Sequence, residues 1–221
     1  VTDYLDEQYL TAYNQRLMHR KLTEAANDDS WMSVGMDECL EGLERGTIDL
    51  RDGQTIGVAG RSALGGQLAL LMPESFHPDI PIGQGRPAPT RSYFLDRTAA
   101  AGFGVKWLDI ELGEAQLEPV RDMLLTNSLF AKPEMKVQGK GVYHGKKQPF
   151  AYYEALFLAG AKPYYQVVLV SYCQREIEGD SGKGLMASAQ FPLPEAGLYY
   201  PLAFAMAGAL RWEKAEKEVS R

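Results

Sequence analysis

Residues 135–192 read MKVQGKGVYHGKKQPFAYYEALFLAGAKPYYQVVLVSYCQREIEGDSGKGLMASAQFP. Four segments here are rich in β-branched and aromatic residues: Val137–Tyr143, Phe150–Leu158, Tyr164–Cys173 and Leu185–Phe191. Gly145-Lys146-Lys147-Gln148-Pro149 fills the first gap and Ala159-Gly160-Ala161-Lys162-Pro163 the second. Glu178-Gly179-Asp180-Ser181-Gly182-Lys183 fills the third. Gly and Pro in those places supply the backbone angles that tight turns need. Strands joined by short turns predict a four-stranded antiparallel meander.

Upstream of the meander, Gly102–Leu112 reads as a strand, with Leu108, Ile110 and Leu112 alternating with Asp109 and Glu111. Pro119 fits the first turn of a helix running to about Ser128, with Leu117, Val120 and Leu124 facing inward. Arg91–Arg97 is a shorter strand. Leu68–Met72 is a buried strand stopped by Pro73. Between them, His77–Pro89 is a Pro/Gly loop. Gly57–Gly66 is small, Gly-rich and loop-like. Ile48–Ile56 predicts a hairpin turning on Asp52-Gly53. Trp31–Arg45 predicts a short helix with Gly46 as its stop. Thr2–Ala26 predicts a longer one, striped by Tyr4, Leu5, Tyr9, Tyr13, Leu17 and Leu22. Downstream, Leu198–Trp212 predicts a closing helix with Leu202, Ala205, Met206 and Ala209 on one face. Strands in blocks with helices between them argue an α+β fold: an antiparallel sheet covered by helices on one face. Residues 1–66 form a helical extension and hairpin, and residues 67–221 form the sheet domain.

The chain has 221 residues, a net charge of -6 and a pI near 5.2. An acidic chain lacks the basic face that phosphate neutralisation needs, which argues against nucleic acid as partner. No apolar run approaches the roughly 20 residues of a membrane-spanning helix. The N-terminus lacks a basic-then-apolar signal pattern. Cys39 and Cys173 are the two cysteines. They are either two separate buried thiols or one disulfide, and a disulfide would place the protein in a periplasm or envelope.

Three places carry a resemblance. Leu68-Ala69-Leu70-Leu71-Met72-Pro73-Glu74-Ser75-Phe76 resembles an opening strand that ends in Pro before an aromatic residue. Gly139–Glu154 resembles a strand pair flanking a central turn. Gln190-Phe191-Pro192-Leu193-Pro194-Glu195, with Tyr199–Leu210, resembles a last strand, its Pro-containing exit and a closing helix. Together, over residues 67–212, they resemble the PsbP/Mog-type fold shared by photosystem PsbP proteins, nuclear-transport Mog proteins and bacterial DcrB-like proteins. That resemblance implies a non-catalytic binding protein with no cofactor. Its bacterial members include envelope lipoproteins and secretion-system chaperones or immunity proteins. The implied partner is a protein, either a basic effector or a second copy of the chain.

Catalytic patterns are incomplete. Gly60-Arg61-Ser62-Ala63-Leu64-Gly65-Gly66 approaches the nucleophile elbow but has one residue too many after Ser62, and a strand follows it instead of a helix. Ser62 would need a histidine, and His77 and His144 are those downstream. A serine hydrolase using Ser62 is the alternative function. Gly179-Asp180-Ser181-Gly182 matches a protease tetrapeptide but continues with Lys183, and Gly182-Lys183-Gly184 lacks the remainder of a P-loop. His19, His77 and His144 are isolated, so no metal spacing occurs. Asp109 and Glu111 share one strand face and read as solvated. Aromatic density is the stronger signal. Tyr143, Tyr152, Tyr153, Tyr164, Tyr165 and Tyr172 fall on adjacent strands, and alternation sends them to both faces. One face packs under helices. The other presents tyrosines, apolar in body and polar at the tip, to a partner or ligand.

Overall fold

A computed structural model describes residues 31–79, 90–173 and 182–213. The predicted helix over residues 2–26, His19, the loop from residue 80 to 89 and Ser181 lie outside the described residues. The elements run α1 (Met36–Arg45), β1 (Thr47–Asp49), β2 (Thr55–Ala63), β3 (Leu68–Pro73), β4 (His77–Pro78), β5 (Arg91–Asp96) and β6 (Ala101–Glu111). After these come α2 (Glu114–Ala131), β7 (Lys136–His144), β8 (Pro149–Ala159), β9 (Lys162–Tyr172), β10 (Lys183–Pro192), α3 (Ala196–Gly208) and β11 (Arg211–Trp212).

The meander is present in the predicted order. Strands β10, β9, β8 and β7 are neighbours in a seven-stranded sheet ordered β4-β5-β6-β10-β9-β8-β7, and every pairing is antiparallel. Gly160 turns β8 into β9 at φ 64°, a left-handed angle that favours glycine. A bulge between Val137 and Gly139 bends the edge strand β7 opposite Glu154. The second sheet has four strands, ordered β1-β2-β3-β11. Its first hairpin turns at Asp52-Gly53, where the Asp52 carboxylate accepts the Gln54 amide at 3.0 Å. Gly46 closes α1 at φ 97°.

Four expectations need correction. The Gly-rich stretch is no loop: residues 55–63 form β2, which pairs with β3 from Val58↔Pro73 to Ala63↔Leu68. Ladder pairing with β1 at Gly57 and with β3 at Gly60 overrides the weak strand preference of both glycines. This hairpin runs through residue 66. Helix α2 begins five residues before Pro119, because Gln116 folds its side-chain oxygen back onto the Gly113 amide at 2.8 Å and caps it there. The closing helix stops at Gly208. Trp212 instead joins β11, stacks on Trp107 at 5.5 Å and donates its indole N–H to Gln148. The two helices lie on opposite faces of the large sheet, not on one.

That placement follows from which side chains each helix buries. Leu117, Leu124 and Leu125 of α2 pack over Ala151, Tyr153, Ala155, Val168 and Val170, on one face of β8 and β9. Helix α3 is enclosed all round, with residues 201–210 buried. It packs against β9 and β10 on one side and against α1 and β3 on the other, inside the main core. A helix that is apolar on every side needs such a place. Pro201 has no N–H to give the Gly197 carbonyl four residues back. The Ser33 amide takes that carbonyl at 2.8 Å, and the Ser33 carbonyl accepts the Arg51 amide, so residues 31–35 tie α3 to the small sheet. Tyr199 of α3 donates to the buried Asp96 carboxylate at 2.7 Å, tying the helix to the β5–β6 turn.

Candidate functional site

Alternation along β8 and β9 distributes the tyrosines over both faces of the sheet as expected, but helices cover both. Tyr153 is buried under α2, with its hydroxyl 2.8 Å from Ser128 Oγ. Tyr164 lies beside Phe157 and Tyr172 beside Leu112, both half-buried on that same face. Tyr143 and Tyr152 point to the opposite face and meet the Phe204 ring of α3 edge-on, at 5.2 and 5.0 Å. Tyr165 is buried there, stacked on Phe191. Of the six tyrosines, Tyr153 and Tyr165 are buried and the other four are half-buried, so none is fully exposed.

Glu154 was missed, and it shares the α3 face with Phe150, Tyr152 and Leu156. The signal was available, since a charged residue interrupts an apolar face at period two. Tyr165 donates to Glu154 Oε2 at 2.5 Å, and the Tyr200 hydroxyl of α3 bonds the same carboxyl. Burial pushes its pKa up, and the two hydroxyls only partly offset this. Burial and the neighbouring Glu154 charge push Tyr165 far above the ordinary phenol range. Among the described residues, the partners of the Glu154 carboxyl are the hydroxyls of Tyr165 and Tyr200. Gly139 of β7 lies against it, so close that a Cβ there would sit 2.5 Å from Glu154 Oε1. Next along the strand, a Cβ on Gly141 would be 3.1 Å from the Tyr152 hydroxyl. The two glycines leave the sheet edge low beside the carboxyl, and Glu154, Tyr152 and Tyr200 all keep some surface.

The remaining expected site residues are not brought together. Ser62 is an exposed residue within the β2–β3 ladder, opposite Ala69, and not on a strand-to-helix turn. His77 pairs in β4 and His144 ends β7; among the described residues no hydrogen bond joins either to Ser62. The elbow is absent because Gly60 and Ser62 are used as strand. Cys39 and Cys173 are both buried in the main core and are not bonded to each other. Burial pushes the Cys39 thiol up to about 12, which leaves it unreactive. Asp109 and Glu111 are exposed on β6. No group of three or more His, Cys, Asp or Glu among the described residues is placed to hold a metal ion.

Outside the core, α2 turns an apolar stripe to solvent. Pro119, Met123, Thr126 and Phe130 recur at helical spacing and all are exposed, Met123 to 49% and Phe130 to 90%. Inward of that stripe, Arg121 is buried between Glu118 at 3.1 Å, Asp122 at 2.9 Å and the Gly141 carbonyl at 3.1 Å. Asp122 also pairs with Lys140 of β7. Val137 and Val142, exposed on the edge strand, lie on the α2 side of the sheet.

No protein-family model matches the sequence, and no curated protein matches it. Solved structures do. The Ran-binding protein Mog1p of Saccharomyces cerevisiae superposes with a TM-score of 0.51 at 11% identity, over 71% of this chain and 96% of that one. Cyanobacterial PsbP (CyanoP) from Synechocystis sp. PCC 6803 gives a TM-score of 0.51 at 11% identity, over 71% and 92%. The chain has a PsbP/Mog-like α+β fold.

Proposed function

We propose that this protein is a non-catalytic protein-binding module. The observation that carries the reading is the outward stripe of α2. A phenylalanine left 90% exposed, two helical turns from an exposed methionine on the same stripe, is a surface that folding does not use. Aromatic and methionine side chains are what protein interfaces concentrate. A fold of this type serves a Ran-binding protein in yeast, so the scaffold suits a module that holds another protein. The finer role proposed is that of a secretion-system immunity protein or chaperone, or an envelope lipoprotein-like factor. A net charge of -6 favours a basic partner for it.

The test is affinity capture from the native source with wild-type protein and with Phe130→Ser and Met123→Ser. Both positions are exposed, so melting should stay within about 0.5 kcal/mol of wild type. A specific partner should be captured by wild type and lost at least tenfold in Phe130→Ser. Undiminished capture by both variants would remove the stripe, and with it this reading.

A further inference from the structure

We infer that Glu154, with the hydroxyls of Tyr152, Tyr165 and Tyr200, forms a binding site for a single lysine or arginine side chain that enters over the glycine edge of β7. The inference rests on the protein-binding reading and names a chemistry for the partner.

The site is built from four elements. Strand β8 supplies Glu154 and Tyr152, β9 supplies Tyr165, α3 supplies Tyr200, and β7 supplies the low wall at Gly139 and Gly141. The carboxyl is not symmetric. Oε2 accepts the Tyr165 hydroxyl at 2.5 Å, the Tyr200 hydroxyl bonds the same carboxyl, and Oε1 lies over Gly139 at the margin of the sheet. Any side chain at residue 139 would close that margin.

The electrostatics point to a cation. A carboxylate taken out of water is costly unless it is paired with opposite charge. Among the described residues, the groups that act on the Glu154 carboxyl are hydroxyls, which are neutral. Arg121 is committed on the other side of the sheet to Glu118, Asp122 and the Gly141 carbonyl. An ammonium or guanidinium arriving over Gly139 would meet Glu154 Oε1. Tyrosine rings stand around it: Tyr165 and Tyr200 are edge-to-face at 5.8 Å, and Trp31 lies 5.4 Å from Tyr200. Such rings favour a cation over a neutral group of the same size. The raised pKa adds a signature, because a cation stabilises the ionised carboxylate. Binding must release a proton wherever Glu154 is still protonated, so affinity should rise with pH until the carboxyl is ionised and then level off.

The experiment is a titration of the full-length protein with Gly-Gly-Arg-Gly-Gly and Gly-Gly-Lys-Gly-Gly, with the norleucine peptide as uncharged control, followed by tryptophan fluorescence and NMR. A cationic peptide should bind at least tenfold more tightly than the control, more tightly as pH rises from 5 to 8. Glu154→Gln, nearly isosteric, should lose at least tenfold in affinity and all of the pH dependence. Tyr200→Phe should weaken binding while leaving some pH dependence. Equal binding of the norleucine peptide, or unchanged affinity in a folded Glu154→Gln, would overturn the site. If that happens while capture still depends on Phe130, the protein-binding reading stands and only this site falls. If capture also ignores Phe130, both fall.

Discussion

Glu154 shows how one residue sets a pH response. Its carboxyl pKa is raised in the folded chain, mainly by burial. The folded state therefore holds a proton that the unfolded chain gives up near the ordinary glutamate value of about 4.3. Stability should fall as pH rises from there through the folded-state value, and then level off. Asp96 works the other way. Burial alone would raise it, but hydroxyl bonds from Ser75 and Tyr199, with the amides of Ala99 and Thr98, leave it lowered. Its contribution is present above the unfolded value and is lost in acid. Glu154→Gln removes only the first response. Its melting temperature should exceed that of wild type at pH 7.5 and match it near pH 4, each ~1 kcal/mol appearing as about 2–4 °C. Calorimetry across that range checks this, and a variant that matches wild type near pH 4 but melts lower at pH 7.5 would show that ionised Glu154 stabilises the fold.

At the scale of elements, close approach outweighs propensity. Gly42 lies within α1, where Gly→Ala ordinarily gains about 1 kcal/mol. Here a Cβ would meet the Thr47 carbonyl oxygen at 2.8 Å and Ile48 Cα at 3.0 Å. Those are backbone atoms of β1 and cannot rotate away. Gly42→Ala should cost about 1–3 kcal/mol, a reversal of sign, measured by urea denaturation. A stabilised variant would mean that α1 shifts on β1 at little cost. Gly46, four residues on, was legible from sequence because it ends a periodic run. Gly42 was not, since its reason is a neighbouring strand and not its own helix.

Across the whole molecule, α3 is the shared core. It faces the large sheet through β9 and β10 and the small sheet through β3, so neither sheet has a separate interior. Leu202 is fully buried at that junction. Leu202→Ala should cost about 2–5 kcal/mol and lower one single transition. Far-UV dichroism and tryptophan fluorescence should move together, because Trp107 and Trp212 stack where β6 and β11 of the two sheets meet. Two separated transitions would show that the two sheets unfold independently.

The meander, the Asp52-Gly53 hairpin, the Gly46 stop and the α+β class were written in the sequence, because local turn chemistry and period-two patterning act between neighbours in the chain. The Gly57–Gly66 stretch was misread because its strand exists through pairing with β1 and β3 on either side. The six tyrosines were correctly placed on adjacent strands, but their exposure depended on where α2 and α3 dock, and period alone does not say which faces are covered. Glu154 gained its character from Tyr200, 46 residues away on α3, and from the missing side chain of Gly139 on the next strand. The exposed stripe of α2 was invisible for a related reason: Met123 and Phe130 look like core residues until the sheet takes the other side of their helix. Patterning along the chain determined which elements form, and the solvent boundary that makes a residue core or site was decided by contacts between residues far apart in sequence.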